Sequence, residues 1–351
     1  MTGAVLCRPA VWLPPHTISR EQTLALADVM HADHPQHALA ARLIGNTGVR
    51  KRHLIRPLYQ TLRHDGVEER TRVFTETAKT QLPQLVTDAL ASAGVGADEV
   101  SAIVFVSCTG FTMPPLTAWM INNLGFRPDT TQIPIAQLGC AAGGAAINRA
   151  HDYANAHPGS HVLVVAVEFC SLVYQPSDID VGSLLSDGLF GDAMAACVVR
   201  GDGNGRGMRL VRGAAHLVPD TEDWISYKVK DTGWHFQLDK RVPGTMSMLA
   251  PMLHTLAQAE QWDATKLDYY VIHAGGPRIL DDLCFHLNVD PEAFANSRAT
   301  LESCGNIASC VVLATAARLF DDPPADGARG LLAGFGPGIT AEASLSLWQD
   351  A

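Results

Sequence analysis

The chain predicts a layered α/β fold built from two similar halves, and three observations carry that expectation. Apolar strand-like runs alternate with helical periodicity along most of its 351 residues, the pattern of helices stacked on sheets. The alternation pauses at Gly201-Asp-Gly-Asn-Gly-Arg-Gly, a turn-rich joint rather than a long linker. On each side of the joint a strand runs through a glycine-flanked loop into a helix, and each loop holds a chemically capable residue: Cys140 in the first half, Asn306 in the second. The expected division is residues 1–200 and 201–351, with one site between them.

Taken in order, periodicity predicts helices over 20–33, 36–45 and 70–94, the last stopped before Gly94-Val-Gly. Ala102-Ile-Val-Phe-Val-Ser has the composition of a short buried strand, and Met113-Pro-Pro-Leu opens a helix to Leu124. A strand over 132–138 leads into the Cys140 turn and a helix to about Asn155, ended by Pro158-Gly159. The apolar strand Val162-Leu-Val-Val-Ala-Val-Glu-Phe, a helix around 181–190 and the strand Ala195-Ala-Cys-Val-Val complete the first half. In the second, a helix over 245–260 precedes the strand Tyr269-Tyr-Val-Ile-His and a helix over 277–287. A loop at 302–306 opens a helix over 307–319, and two strands finish the pattern: Gly330-Leu-Leu-Ala-Gly-Phe and Ile339–Trp348.

The bulk numbers exclude several classes. Lys plus Arg is 26 against 36 for Asp plus Glu, a formal net charge of -10, and no long basic cluster offsets it. Nucleic acid and anionic membrane surfaces are therefore poor partners. An anionic substrate would need a local basic patch; Arg42 and Arg50-Lys51-Arg52-His53 are the candidates, although such runs are more often solvated faces. The first residues lack a signal-peptide pattern, and no apolar stretch approaches the ~20 residues of a membrane span, so a cytoplasmic protein is expected. None of the eight cysteines forms a C-x-x-C pair, so the sequence supports no zinc site.

Cys140 stands in Ile133-Pro-Ile-Ala-Gln-Leu-Gly-Cys-Ala-Ala-Gly-Gly, where an apolar segment ends at a glycine and small residues open a helix. A helix N-terminus favours thiolate, and a thiolate is the nucleophilic form. His273 ends a strand and meets Ala274-Gly-Gly-Pro, and Asn306 follows Gly305 in Glu302-Ser-Cys-Gly-Asn-Ile-Ala-Ser-Cys. Singly, each has a plainer reading: inert packing for the cysteine, a satisfied core group for the histidine, an N-cap for the asparagine. Three such residues, each on a strand–loop–helix junction beside glycine, are harder to explain that way.

On these segments the chain resembles the type III polyketide synthases, the chalcone synthase-like family on the thiolase fold. The resemblance runs from about residue 5 to 348 and is most specific in Gln137-Leu-Gly-Cys-Ala-Ala-Gly-Gly, Leu189-Phe-Gly-Asp, His273-Ala-Gly-Gly-Pro, Gly305-Asn306 and Gly334-Phe-Gly-Pro-Gly. Within the family, Gln132–Asp152, Glu168-Phe-Cys-Ser-Leu-Val-Tyr-Gln-Pro and the segment from Gly327 through Glu342 look most like the bacterial members that make 1,3,6,8-tetrahydroxynaphthalene.

The resemblance implies a thiolase-like αβαβα fold and a homodimer that uses CoA thioesters as substrates, with no cofactor and no carrier protein. It implies that Cys140 carries the growing acyl chain, that His273 supports the thiolate as imidazolium, and that Asn306 helps bind the malonyl thioester carbonyl. Phe190 and Phe236 match the family's aromatic gatekeepers, and Met113 matches the residue inserted into the partner's cavity. Cys108 and Tyr227 replace a threonine and a glycine of the plant members, which implies a pocket reshaped for a malonyl starter; Val173 falls near another lining position. Arg42 matches one basic CoA-tunnel residue, while Leu39 and Asn46 stand where lysines are common. The expected reaction is iterative decarboxylative condensation of malonyl-CoA, five units in all, and cyclisation to 1,3,6,8-tetrahydroxynaphthalene. The alternatives are a type III enzyme with another acyl-CoA starter making a pyrone or resorcinol, a β-ketoacyl-carrier-protein synthase, and a non-catalytic thiol sensor.

Overall fold

The computed structural model describes residues 3–63 and 65–350. Its centre is a ten-stranded mixed sheet. Val100–Ser107 pairs with the edge strand Thr131–Ala136 and with His161–Phe169, in both cases parallel. His161–Phe169 pairs antiparallel with Asp192–Arg200, which pairs antiparallel with Val5–Leu6. The same succession recurs: Tyr269–Ile272 is parallel to Arg329–Gly336, which is antiparallel to Thr340–Gln349, itself antiparallel to Gly207–Leu217. Val5–Leu6 also pairs with Gly207–Leu217 and so joins the two series into one sheet.

The inner strands of the first series, Val100–Ser107, His161–Phe169 and Asp192–Arg200, are buried on both faces, as strands between helical layers must be. Ile103, Phe105, Leu163, Val165, Met194 and Ala196 point to one core, closed by the long helix Val67–Ala93 through Phe74, Leu82 and Leu85. Their neighbours Ala102, Val104, Val162, Val164, Ala193 and Ala195 point the other way, onto a middle layer. That layer contains the helices Ala142–Ala156, buried through its first two turns, and Cys310–Leu319, buried along most of its length. Each fully buried Val or Leu here contributes about 1.5–3 kcal/mol. The two middle helices meet at Gly143, where an added Cβ would lie 2.2 Å from the Ser309 carbonyl oxygen, so only glycine permits the approach. The helices Met246–Ala259 and Pro277–Leu287 cover the second series from outside.

The sequence expectation differs from the structure in several places. The helix expected from Met113 begins at Leu116, with Pro115 at its N-cap, because two consecutive prolines hold the preceding residues extended. The loop expected at 302–306 is partly helix: Ala295–Cys304 was not anticipated, and the next helix starts at Cys310 with Ser309 as N-cap. Helix 20–33 ends at Met30, and helix 70–94 starts earlier, at Val67. A hairpin of Ile225–Lys230 and Gly233–Leu238 was also missed; it forms its own two-stranded sheet. Among the described residues no helix is long and apolar enough to cross a membrane.

Candidate active site

Cys140 lies in a single tight helical turn, Gly139–Ala141, between the edge strand and the buried helix from Ala142. It thus precedes the helix rather than capping it. The turn is unusual in its backbone: Gln137 has φ of 63° and Gly139 of 51°. A Cβ on Gly139 would also lie 2.6 Å from Pro337, so the chain is pressed against the loop after Arg329–Gly336. Sterically costly backbone held by close packing fixes the direction of the thiol.

Asn306 sits between helices, and its sequence reading as a helix cap does not hold. Its backbone forms an isolated parallel bridge with Phe190: Asn306 N–H donates to Leu189 O at 2.9 Å and Gly191 N–H to Asn306 O at 3.0 Å. Its side-chain Oδ1 accepts from the Ala308 N–H at 2.9 Å and from Cys140 Sγ at 3.9 Å. With Oδ1 occupied, the amide NH₂ group is the donor left for a ligand. His273 follows Tyr269–Ile272 and its N–H donates to Ala333 O at 2.8 Å. The ring is buried, and its Nδ1 has no hydrogen-bond partner. An orphaned buried nitrogen costs about 1–3 kcal/mol and marks a place where something else completes the bond.

All three residues line one cavity of about 1050 Å³. Its walls also include Cys108, Val173, Phe190, Tyr227 and Phe236. Phe190 and Phe236 meet edge to face at 5.4 Å between centroids, and Tyr227 lies 5.9 Å from Phe236, its direct cross-strand partner in the hairpin. Met113 is 90% exposed and does not line this chain's cavity. Arg42, at the exposed end of helix His37–Gly45, does not line it either, whereas Leu43, Asn46 and Arg278 do.

The basic run that suggested an anion patch is a strand, Lys51–Leu54, whose residues part ways. Arg50, just before it, pairs with Glu302, and His53 Nδ1 contacts Pro14 O at 2.7 Å. Arg52 is buried, donating to Phe190 O at 3.1 Å and Thr23 Oγ1 at 2.8 Å. It braces the Phe190 backbone instead of facing solvent.

Glu168 was not singled out as a site residue, although one carboxylate within the apolar run Val162–Phe169 was a signal that could have found it. It is fully buried and accepts from the Cys108 N–H at 3.1 Å, from Thr109 Oγ1 at 2.8 Å and from Ser309 Oγ. Burial pushes its carboxyl up, and these donors pull it back. Burial, and then the Glu168 charge, push the Cys140 thiol up to about 12, while Asn306 and Cys140's own backbone pull it down. Burial pushes the His273 imidazole down to about 4. Each charge taken singly is therefore disfavoured in the cavity. Moving one proton from Sγ to the imidazole creates both charges together and leaves the pair net neutral.

Comparison with known proteins gives this arrangement a lineage. Residues 36–203 match the family model for the chalcone and stilbene synthases, N-terminal domain, and residues 209–347 the model for their C-terminal domain. The chain is 62% identical over 346 residues to a 1,3,6,8-tetrahydroxynaphthalene synthase of Streptomyces griseus, covering 98% of this chain and 93% of that protein. It is 41% identical to a phloroglucinol synthase of Pseudomonas fluorescens, over 98% of this chain and 99% of the relative. The crystal structure of the tetrahydroxynaphthalene synthase of Streptomyces coelicolor A3(2), a bacterial type III polyketide synthase, superposes with a TM-score of 0.98 at 60% identity, covering 99% and 100% of the two chains. Germicidin synthase of Streptomyces coelicolor, also a type III polyketide synthase, gives 0.91 at 25% identity, covering 99% and 100%. The thiolase-like fold, the cavity and these matches place the chain in the chalcone and stilbene synthase family, as an acyl-transferring type III polyketide synthase.

Proposed function

We propose that this enzyme condenses malonyl-CoA repeatedly, using malonyl as starter, and cyclises a chain of five units to 1,3,6,8-tetrahydroxynaphthalene. The observation that carries the reading is the single cavity in which Cys140, His273 and Asn306 share walls with Tyr227, Phe236 and Phe190. The likeness to the two Streptomyces synthases supports the product.

In this reading Cys140 Sγ gives its proton to His273 and attacks the thioester carbonyl of the starter. The carbonyl oxygen takes the electron pair and returns it as CoA thiolate leaves, so the acyl group passes to sulfur. Asn306 NH₂ and His273 N–H then donate to the thioester oxygen of the next malonyl-CoA. Loss of carbon dioxide leaves its bonding pair on that unit as an enolate, whose negative oxygen these donors stabilise. The enolate carbon attacks the Cys140 thioester, a C–C bond forms, and the thiolate is released for reloading. The edge-to-face aromatics keep water from the enolate. Decarboxylation supplies the carbanion, so the scheme calls for no cofactor beyond the CoA thioesters, and no carrier protein. The bulk of Tyr227 and the small thiol of Cys108 shape the pocket for a malonyl starter, with Val173 beside them; Arg42, on the helix whose Ala40, Leu43 and Ile44 line the cavity, would meet CoA phosphate.

The two halves, 1–200 and 201–351, would thus each supply part of one site, the nucleophile from the first and both enolate donors from the second. A homodimer is part of the reading. Thr131–Ala136 is an edge strand, and Phe111 and Met113 are 58% and 90% exposed, a costly surface unless covered. Met113 would then enter the partner's cavity. Action in the cytoplasm completes the reading.

Incubating the purified enzyme with malonyl-CoA alone and identifying products by mass spectrometry tests it. A naphthalene product is expected; its absence, with turnover only on another acyl-CoA starter, would sink the malonyl-starter assignment.

A further inference from the structure

The hairpin Ile225–Lys230/Gly233–Leu238 carries three cavity-lining aromatics, Tyr227, Trp234 and Phe236, yet its backbone joins no other sheet. Its position over Cys140 must come from side chains. At its base, Asp239 N–H donates to Trp224 O at 2.8 Å, and the Arg241 guanidinium stacks 4.2 Å from the Trp224 ring centroid. The far end is held differently. His235 is 2% exposed, and its Nδ1 lies 2.7 Å and 2.8 Å from the two carboxylate oxygens of Asp178. Its Nε2 lies 2.7 Å from Thr232 Oγ1 at the hairpin tip, so both ring nitrogens are engaged. Lys230 Nζ is 3.5 Å from Nδ1. Beside this pair, Gln175 Nε2 donates to Thr232 O and Trp234 O, both at 3.1 Å. Its Oε1 accepts from the buried Arg70 at 3.5 Å.

The partner segment is itself a cavity wall. It starts at Val173, passes Asp178, and enters the helix Val181–Leu189, whose C-cap is the gatekeeper Phe190. Phe236 is adjacent to His235 in sequence and points to the opposite side of the strand, into the cavity. Through one hydrogen-bonded Asp–His pair, the wall bearing Val173 and Phe190 is tied to the wall bearing Tyr227 and Phe236.

We propose that the Asp178–His235 pair, backed by Gln175, is a latch that sets the separation of these two walls and thereby the length of polyketide held before cyclisation. These are positioning residues: His235 lies behind the wall and touches no reacting atom. The proposal rests on the polyketide reading above. A hydrogen-bonded pair holding a backbone element against another is costly to break on one side, because the remaining polar group is left without its partner. Relaxation then falls on the hairpin, whose strands join no larger sheet.

The test is the product distribution of His235→Ala and Thr232→Val with malonyl-CoA, beside carbon dioxide release and the thermal midpoint. The latch predicts that His235→Ala lowers the ratio of full-length product to shorter, prematurely released lactones about tenfold, the factor a small change of pocket shape is worth. Carbon dioxide release should change far less. Thr232→Val, which removes only the Nε2 contact, should shift the ratio in the same direction by less. Asp178→Asn keeps an acceptor for the imidazole N–H and should retain most of the wild-type ratio. A mere loss of stability would lower the midpoint and all products in parallel; that outcome, or an unchanged ratio, overturns the latch. Should His235→Ala not fold, Thr232→Val reads the same ratio. Wild-type enzyme that makes polyketides other than the naphthalene overturns the product reading instead, and the latch is then judged on the chain lengths it does make.

Discussion

The cavity has two ends built on different principles. Around Cys140 the backbone itself is held by close contact: a middle-layer helix pressed at Gly143 against the Ser309 carbonyl, a turn pressed at Gly139 against the Pro337 ring, and Asn306 bridged to Phe190 through main-chain hydrogen bonds. Around Tyr227 and Phe236 the wall is a detached hairpin held by side chains. Backbone packing tolerates almost no displacement, since an added methyl group already collides. Side-chain anchors can be altered one at a time. On the proposed reading, acyl transfer and decarboxylation belong to the rigid end, and adjustable properties such as starter and length to the other.

Substitutions can break or sharpen this comparison. The largest effect is expected at the nucleophile: Cys140→Ser should reduce polyketide formation by on the order of 10³-fold or more, measured as product per enzyme from malonyl-CoA. Asn306→Ala removes an enolate donor and should slow decarboxylation about 10²-fold, while iodoacetamide still alkylates Cys140; equal loss in both assays would deny Asn306 its separate role. Gly143→Ala should cost about 1–3 kcal/mol by overpacking, visible in chemical denaturation, and a neutral result would mean the rigid end is softer than its contacts imply. At the other end, Tyr227→Ala should change the ratio of bulky to malonyl starter use about tenfold with little change in stability, read by competition between two acyl-CoA substrates.

The smallest effect concerns charge alone. The Glu168 carboxylate raises the Cys140 thiol. Removing that negative charge in Glu168→Gln makes thiolate easier to form, so the pH profile of Cys140 alkylation should move to lower pH. A move to higher pH would mean that the hydrogen bonds of Glu168 to Thr109 and Ser309, rather than its charge, govern the nucleophile.

The rigid end was legible in the sequence for the reason it is rigid. Glycines and prolines at forced turns, such as Gly139 and the Gly334-Phe-Gly-Pro-Gly segment, are visible as residue types, and long apolar strands such as Val162–Phe169 announce their burial. The hairpin was not. Ile-Ser-Tyr-Lys-Val-Lys lies half in solvent, with its last three residues exposed, and gives a weak strand signal. The helix Ala295–Cys304 was missed because its few apolar residues are spread among Asn, Ser, Arg, Thr and Glu. Arg52 was misread because alternation along a strand sends neighbours in a basic run to opposite sides. The latch was invisible, since nothing local links Asp178 to His235.

The two-residue strand Val5–Leu6 lies between Arg200 and Arg209 in the sheet, and it is the seam between the two strand series. Its consequence is kinetic. Both neighbouring strands are remote in sequence, so this pairing is among the most non-local in the fold and repays its loop-closure entropy only once each flanking series has ordered. Assembly would then end with a short segment sliding into a prepared slot, and unfolding would begin by its departure. Amide exchange at Leu6, compared with Val164 in the middle of its sheet, would show which strand leaves first.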